Sequence, residues 1–188
     1  AYTAANGAVS HQAFAIAVSG DAAPDVMTSE ITAEGIKEAV SEKTVLAGTS
    51  VTLSASASTG WTNDYLWDNN AKSSTVTIPT LMSSRAYTCQ YANQSGAVSE
   101  SKFFLNVVPA IQYINGAEAT EIKVLAGADV SLLLSIPVAA DPNDVVWNDG
   151  VRGTARNISN VQHNIILIAS YDGVDYTFAV NVKRADDY

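Results

Sequence analysis

The sequence has few of the side chains that most enzymes use for chemistry. It contains 1 cysteine and 2 histidines among 188 residues. A single cysteine excludes an intramolecular disulfide and a metal site built from several cysteines. Two histidines leave little for catalytic triads or histidine-rich metal sites. The sequence therefore indicates architecture more than it indicates a reaction.

Basic side chains are also scarce. The chain has 10 Lys and Arg residues against 19 Asp and Glu residues, so its net charge is −9 and its pI is near 4.4. No stretch of the sequence gathers lysines or arginines into a cluster. Because phosphate backbones and anionic lipid surfaces repel such a chain, we expect neither nucleic acid nor a charged membrane surface as its partner.

Long hydrophobic runs are missing as well. The longest apolar stretches are Ala13–Val18 and Ile165–Ala169. Both are far short of the roughly 18–20 residues that a membrane helix needs, so we expect no membrane insertion. The opening residues lack the basic start of a secretory signal. Apolar residues nevertheless make up 47% of the chain, enough to build a packed core.

Two segments of the chain repeat one another, at a spacing of about 80 residues. The matches keep the same order in both copies: Val45–Leu53 with Val124–Leu132, Trp67–Asn69 with Trp147–Asp149, Thr77–Leu81 with Asn157–Val161, Tyr91 with Tyr171, and Asn106–Val107 with Asn181–Val182. The repeat predicts two homologous units, at residues 43–108 and 122–188. Residues 21–42 and 109–121 then form a linker and first strand before each unit.

A third, partial copy opens the chain. Gly7–Ser10, followed by Phe14 and Val18, resembles Gly96–Ser99, followed by Phe103 and Val107. Residues 1–20 are therefore interpreted either as the final hairpin of a partial unit or as an N-terminal arm.

The pattern inside each unit is that of β-strands. Val51, Leu53 and Ala55 alternate with Thr and Ser, which is the period of a half-buried strand. Turn-forming residues separate such stretches at intervals of about ten residues, as in Asn148–Gly150 and Asp172–Gly173. Short strands at this spacing predict antiparallel sandwiches. The only helix-like stretch is Thr32–Glu42, and Gly35 inside it weakens that interpretation.

The order of a tryptophan strand, a polar turn and a Tyr-x-Cys strand resembles the immunoglobulin-like fold. Trp67 takes the place of the core tryptophan, and Tyr87 and Cys89 take those of the tyrosine corner and the second cysteine. Where the partner cysteine would stand, the first unit has Leu53 or Ala55. The second unit keeps the tryptophan as Trp147, but it has Leu167 and Ala169 at the positions of the tyrosine and the cysteine. The order Val-x-Ala-Gly-x-x-Val-x-Leu followed by tryptophan resembles tandem bacterial Ig-like or PKD-like modules of secreted, cell-surface and phage-particle proteins.

The resemblance implies an all-β chain of tandem immunoglobulin-like antiparallel sandwiches with Trp67, Trp147, Tyr87 and Cys89 in their cores. Gly48 and Gly127 each lie between two apolar strands, and we expect both to occupy a turn or bulge with positive φ.

Two places in the sequence are candidates for contact with a ligand or partner. Trp61 follows Gly60 in the loop before the Trp67 strand, beside Asn63. It either presents a stacking surface or covers the end of the core. We expect Tyr65, Tyr91, Tyr113 and Tyr171 to be able to add to a contact surface around Trp61. In the N-terminal arm, Phe14, Ile16 and Val18 alternate with alanines, which is typical of a strand that pairs with its own unit or with another copy.

The remaining candidates for chemistry have plainer interpretations. Cys89 has no histidine nearby in sequence to activate it, and His11 and His163 belong to different segments. Asp141–Asp144 offers oxygen ligands for Ca²⁺ but lacks the alternating Asp-x-Asp spacing of a calcium loop, so a proline turn is the alternative. No residue is singled out as catalytic, cofactor-binding or metal-binding, and we expect no enzyme and no cofactor.

Three functions remain open. The first is a structural or adhesive repeat segment of an extracellular, cell-surface or virion-surface assembly. The second is a carbohydrate-binding accessory module of a secreted polysaccharide-degrading enzyme. The third is a subunit of a filament or phage particle that assembles by N-terminal strand exchange. The expected partners are proteins, glycans or copies of the chain itself.

Overall fold

The computed structural model describes residues 23–59 and 64–183, together with the backbone of two short N-terminal strands. These are β1 (Tyr2–Thr3) and β2 (Val9–Ser10), which pair with each other in antiparallel orientation. In the described part, no helix is long and apolar enough to cross a membrane.

Eight strands form the first unit. They are β3 (Met27–Ala33), β4 (Ile36–Glu38), β5 (Glu42–Leu46), β6 (Thr49–Ala57), β7 (Tyr65–Trp67), β8 (Thr75–Leu81), β9 (Arg85–Ala92) and β10 (Val98–Val108). One sheet has the order β4-β3-β6-β8, and the facing sheet has the order β5-β10-β9-β7.

The second unit repeats this arrangement strand for strand. Its strands are β11 (Ile111–Ile114), β12 (Ala117–Glu118), β13 (Glu121–Leu125), β14 (Ala128–Ser135), β15 (Val146–Trp147), β16 (Ala155–Val161), β17 (Ile165–Tyr171) and β18 (Val174–Lys183). The sheet orders are β12-β11-β14-β16 and β13-β18-β17-β15. A 3₁₀ turn, Pro142–Asp144, precedes β15.

This strand order is that of an immunoglobulin-like sandwich, and it confirms the predicted fold class. Its two antiparallel layers are represented by the pairings of β7 with β9 and of β9 with β10 in one sheet, and by the pairing of β6 with β8 in the other. One pairing in each unit is parallel: β5 lies beside β10, and β13 lies beside β18. The first strand of the second sheet therefore runs in the same direction as the last strand of its unit.

Each unit has its own core, centred on one tryptophan. Trp67 is 2% exposed, and its ring lies 5.4 Å from that of Phe103. Trp147 is 1% exposed and lies 5.2 Å from Phe178. Each indole N–H donates a 2.7 Å hydrogen bond to a loop carbonyl, that of Ser73 or Gly153. The buried polar group of each tryptophan is thus satisfied in the same way.

The two predicted glycine turns are confirmed. Gly48 and Gly127 have φ values of 86° and 90°, and a β-bulge follows each of them. The backbone N–H of Gly48 donates to Leu81 O, and that of Gly127 donates to Val161 O, both at 2.8 Å. Because residues with a Cβ rarely adopt this backbone region, glycine fixes the turn in both units.

The helix-like interpretation of Thr32–Glu42 was wrong. Ala33 pairs with Ile36 across a two-residue turn in which Glu34 and Gly35 have φ values of 53° and 78°. Such left-handed pairs form the tight turns that match the twist of a hairpin. The residues that suggested a helix instead build β3, β4 and the start of β5. The predicted Asp172–Gly173 turn has the same geometry and is confirmed.

Candidate functional site

The base of the Trp61 loop lies at the end of the first sandwich where β6 stops and β7 begins. Trp61 and Asn63 themselves lie outside the described residues, but both flanks of their loop are described. On one flank, Ser58 N donates to Val26 O at 3.0 Å. On the other, Asp64 O accepts a 3.1 Å hydrogen bond from Ala92 N on β9. The loop is therefore held at both ends.

A cluster of polar side chains forms hydrogen bonds with Ser58 and Thr59, on the N-terminal flank of the loop. Asp25 accepts hydrogen bonds from Ser58 Oγ (2.8 Å) and Thr59 Oγ1 (2.9 Å). The Tyr91 hydroxyl lies 2.8 Å from Thr59 Oγ1, and it is the donor there because the one Thr59 hydroxyl hydrogen points at Asp25. We call Asp25, Ser58, Thr59 and Tyr91 the Asp25 cluster. It joins three separate stretches of chain at one end of the unit.

The segment that carries Asp25 is itself tied to the loop between β9 and β10 and to β10. Ser99 Oγ donates to Asp25 O at 2.6 Å, and Asn93 Nδ2 donates to Ala23 O at 3.4 Å. Sequence reasoning missed this role of Asp25, because its partners lie more than 30 positions away along the chain. The local sequence shows only that Asp25 lies two residues before β3.

Tyr65 lies in the core and offers no surface for a ligand. It is 4% exposed, and its hydroxyl accepts a 2.9 Å hydrogen bond from Ala57 N. Its ring lies 4.9 Å from that of Tyr91, which is fully buried. The expectation that Tyr65 shares a contact surface with Trp61 is therefore not met by its position. The two tyrosines close this end of the core.

The residues of the N-terminal arm, Phe14, Ile16 and Val18, lie outside the described residues.

The four residues proposed for the cores are all buried: Trp67, Trp147, Tyr87 and Cys89. Cys89 lies directly across from Trp67 on the neighbouring strand, and Ala169 lies across from Trp147 in the same way. Burial raises the pKa of the Cys89 thiol to about 11, so the thiol stays protonated at neutral pH.

The acidic loop closes on itself. Asp141 Oδ1 accepts hydrogen bonds from the backbone N–H and the side-chain amide of Asn143, at 2.9 and 3.0 Å. Asp141 thus begins the 3₁₀ turn as its N-cap. Within residues 23–59 and 64–183, no group of three or more His, Cys, Asp or Glu side chains could hold a metal ion. His163 is exposed on a turn of the second unit.

Comparisons with known proteins give distant likenesses to tandem sandwiches. No family model matches the sequence, and no curated protein matches it. Among solved structures, the insect immune protein hemolin is 18% identical over 77% of this chain and 45% of its own, with a TM-score of 0.34. The chain thus spans less than half of hemolin's length.

Two further structures are of microbial and viral origin. Three N-terminal domains of the bacteriophage RB49 outer capsid protein Hoc are 16% identical, over 84% of this chain and 59% of theirs, with a TM-score of 0.37. The fibronectin(III)-like modules of Clostridium thermocellum CbhA are 14% identical, over 84% and 96%, with a TM-score of 0.29. None of these likenesses says what this chain binds.

Proposed function

We propose that the chain is a non-catalytic structural spacer of an extracellular or surface-exposed assembly, built to stay folded under tension. The observation that carries this proposal is the parallel pairing within each unit. Residues Glu42–Leu46 lie beside Phe104–Val108, and Glu121–Leu125 lie beside Ala179–Lys183. The strand that leads into the second sheet and the strand that leaves the unit are therefore direct neighbours.

Tension on the chain ends enters each unit through β3 or β11, which pair with β6 or β14 in the other sheet. It then passes along the chain to β5 or β13 and their parallel partners. Because the two strands are parallel and force leaves through β10 or β18, pulling slides one strand along the other and loads their hydrogen bonds together. Further bonds extend each pairing beyond the strands: Phe104 N to Ser41 O (2.8 Å) and Ala47 N to Val108 O (3.2 Å) in the first unit. The second unit has the same pair, from Ala179 N to Thr120 O (2.9 Å) and from Ala126 N to Lys183 O (3.0 Å).

The connection between the units suits a spacer. β10 ends at Val108 and β11 begins at Ile111, so only Pro109 and Ala110 separate them. Ala110 is buried, and proline restricts the backbone of the other position. We propose that β3–β10 and β11–β18 are the two folding units, with the segments 21–42 and 109–121 each contributing the first strands of the unit that follows.

Single-molecule force spectroscopy of the whole chain tests this function. Each unit holds about 80 residues, so each unfolding event lengthens the chain by roughly 25 nm. We expect two separate unfolding events, each at a force well above the forces that thermal fluctuations exert on the chain. Gradual extension without discrete events contradicts the proposal. Antibody labelling of intact cells or particles, compared with permeabilised ones, tests the proposed extracellular location.

A second candidate function is contact with a partner through the Trp61 loop. The Asp25 cluster favours it, because a loop whose end is fixed by hydrogen bonds loses less conformational entropy when it binds a partner. Screening the chain against immobilised glycans and surface proteins, with Trp61→Ala beside it, tests this role. Binding that survives the substitution unchanged argues against the loop.

Strand exchange through Phe14, Ile16 and Val18 is a third candidate. The edge strand β16 favours it, because it has no proline, whereas its counterpart β8 carries Pro79, which cannot donate to an added strand. Light scattering of the whole chain and of a variant lacking residues 1–20 tests this. Oligomers that disappear on deletion support strand exchange, and a monomer in both cases excludes it.

A further inference from the structure

The outer face of one sheet of the second unit carries an apolar patch that its own fold does not need. Tyr113 pairs across strands with Leu133, and the next pair along, Ile114 with Leu132, is buried in the core. Because neighbouring residues of a strand point to opposite faces, Tyr113 and Leu133 point outward. Leu133 is 40% exposed.

These two residues line a shallow depression of about 450 Å³. Its walls are Ser131, Ser135 and Gly116, so two serine hydroxyl groups lie beside one aromatic and one aliphatic side chain. The Gly116 end is shaped by a tight turn, in which Asn115 and Gly116 have φ values of 51° and 79°. Asn115 Oδ1 accepts a 2.8 Å hydrogen bond from Ser131 N, which fixes this turn against β14.

The first unit shows what the same face looks like without such a patch. Strand pairing places Glu30 where the second unit has Tyr113, and Ser54 where it has Leu133. Glu30 forms an ion pair with Lys37 at 2.6 Å, and the Thr52 and Thr77 hydroxyls bond each other at 2.9 Å. The first unit thus covers this face with polar groups that satisfy one another. The inner residues of the repeat agree, whereas these outer residues differ.

The chemistry of the depression points to one class of ligand. None of its lining residues carries a charge, although the chain as a whole has a net charge of −9. Burial, with Glu118 nearby, raises the pKa of the Tyr113 phenol, which therefore stays neutral and can donate a hydrogen bond. An aromatic and aliphatic floor with hydroxyls at its rim matches a molecule that has one apolar face and a polar edge.

We propose that the depression formed by Tyr113, Gly116, Ser131, Leu133 and Ser135 binds a neutral saccharide, with a sugar ring stacked on Tyr113. This site goes beyond the spacer function and does not depend on it. A spacer that also holds a neutral polysaccharide would be fixed along its length as well as at its ends.

An array of neutral hexose and N-acetylhexosamine oligosaccharides, probed with the whole chain, is the first experiment. Calorimetry with the best-bound oligosaccharide then compares variants. Tyr113→Ala is expected to weaken binding about tenfold or more, because the stacking surface is lost. Leu133→Ser, which installs the residue of the first unit, weakens binding less. Tyr113→Phe keeps the ring and loses only the phenol hydrogen bond.

Two controls keep the result interpretable. Ile166→Ala removes an exposed side chain, 64% accessible, from the other sheet of the same unit and leaves binding unchanged. Trp61→Ala, in the loop of the first unit, should also leave binding unchanged, which shows that the oligosaccharide does not bind at that loop. Equal melting temperatures show that the exposed substitutions leave the fold intact. Absence of binding to every neutral oligosaccharide, binding only to anionic glycans or peptides, or unchanged binding by Tyr113→Ala overturns the proposal.

Discussion

The two units share a framework and differ in what surrounds it. In both, a tryptophan stacks beside a phenylalanine and donates to a loop carbonyl six positions further on. Around it, the first unit has the Asp25 cluster at its end. The second unit instead places the Arg156 guanidinium 5.7 Å from the Trp147 ring centre and pairs it with Asp149. The residues that both units share build the fold, whereas the residues that differ, such as the Asp25 cluster and the Arg156–Asp149 pair, are specific to one unit.

The largest effect is expected from the shared tryptophans. Trp67→Ala and Trp147→Ala each remove a buried indole and its hydrogen bond, which costs about 3–5 kcal/mol. Because each core is closed within its own unit, each substitution should unfold one unit and spare the other. Calorimetric melting of both variants checks this. A single transition that shifts as a whole in either variant contradicts two independent cores.

Asp25→Ala tests what is special to the first unit. It removes the acceptor for Ser58 and Thr59, and we expect it to cost about 1–2 kcal/mol in chemical denaturation, because bonds to a charged acceptor are stronger than average. Asp175→Ala is the matched change in the second unit, where the carboxylate accepts one hydrogen bond from Ser170. We expect the smaller loss there, and equal losses would deny the Asp25 cluster a special role.

Cys89→Ala makes the first unit match the second at Ala169. Losing one buried sulfur should cost about 1 kcal/mol, close to the value for one buried methylene group. With its pKa raised to about 11, the native thiol should resist alkylating reagents at neutral pH and react only after unfolding. Fast labelling of the folded chain would show that the thiol is accessible.

The smallest effect concerns Asp149. Its hydrogen bond with Arg156 holds the Asp149 pKa below its ordinary value of 3.8. A carboxyl group whose pKa is lower in the folded state stabilises the fold at higher pH. It loses that contribution as the pH falls from its ordinary pKa through the folded value. Below about pH 4, the second unit should therefore lose slightly more stability in the wild type than in Asp149→Asn. Parallel acid profiles for the two proteins would contradict this.

Much of the framework was predictable from local patterns. The match of Val45–Leu53 with Val124–Leu132 predicted β5, β6 and their counterparts, because strand period and a positive-φ glycine are local signals. The Asp25 cluster was not predictable, since it depends on contacts between distant parts of the chain. Tyr65 was misjudged because its nearness to Trp61 in sequence does not show which face it takes, and as the first residue of β7 its side chain points into the core. Tyr113 was named as a possible contact residue around Trp61, and only the strand pairing showed that it shares a face with Leu133 of the second unit.

Pulling on proline variants tests most directly whether the parallel strands resist the applied force. Ala47 precedes Gly48, whose φ is 86°, and proline is common before the positive-φ glycine of a type II turn. Ala47→Pro removes the hydrogen bond from the Ala47 N–H to Val108 O. Ala126→Pro is the same change beside Gly127, with the bond to Lys183 O. We predict that each variant lowers the unfolding force of one of the two events and leaves the other unchanged. Forces that stay the same in both variants would contradict the claim that the parallel strands carry the load.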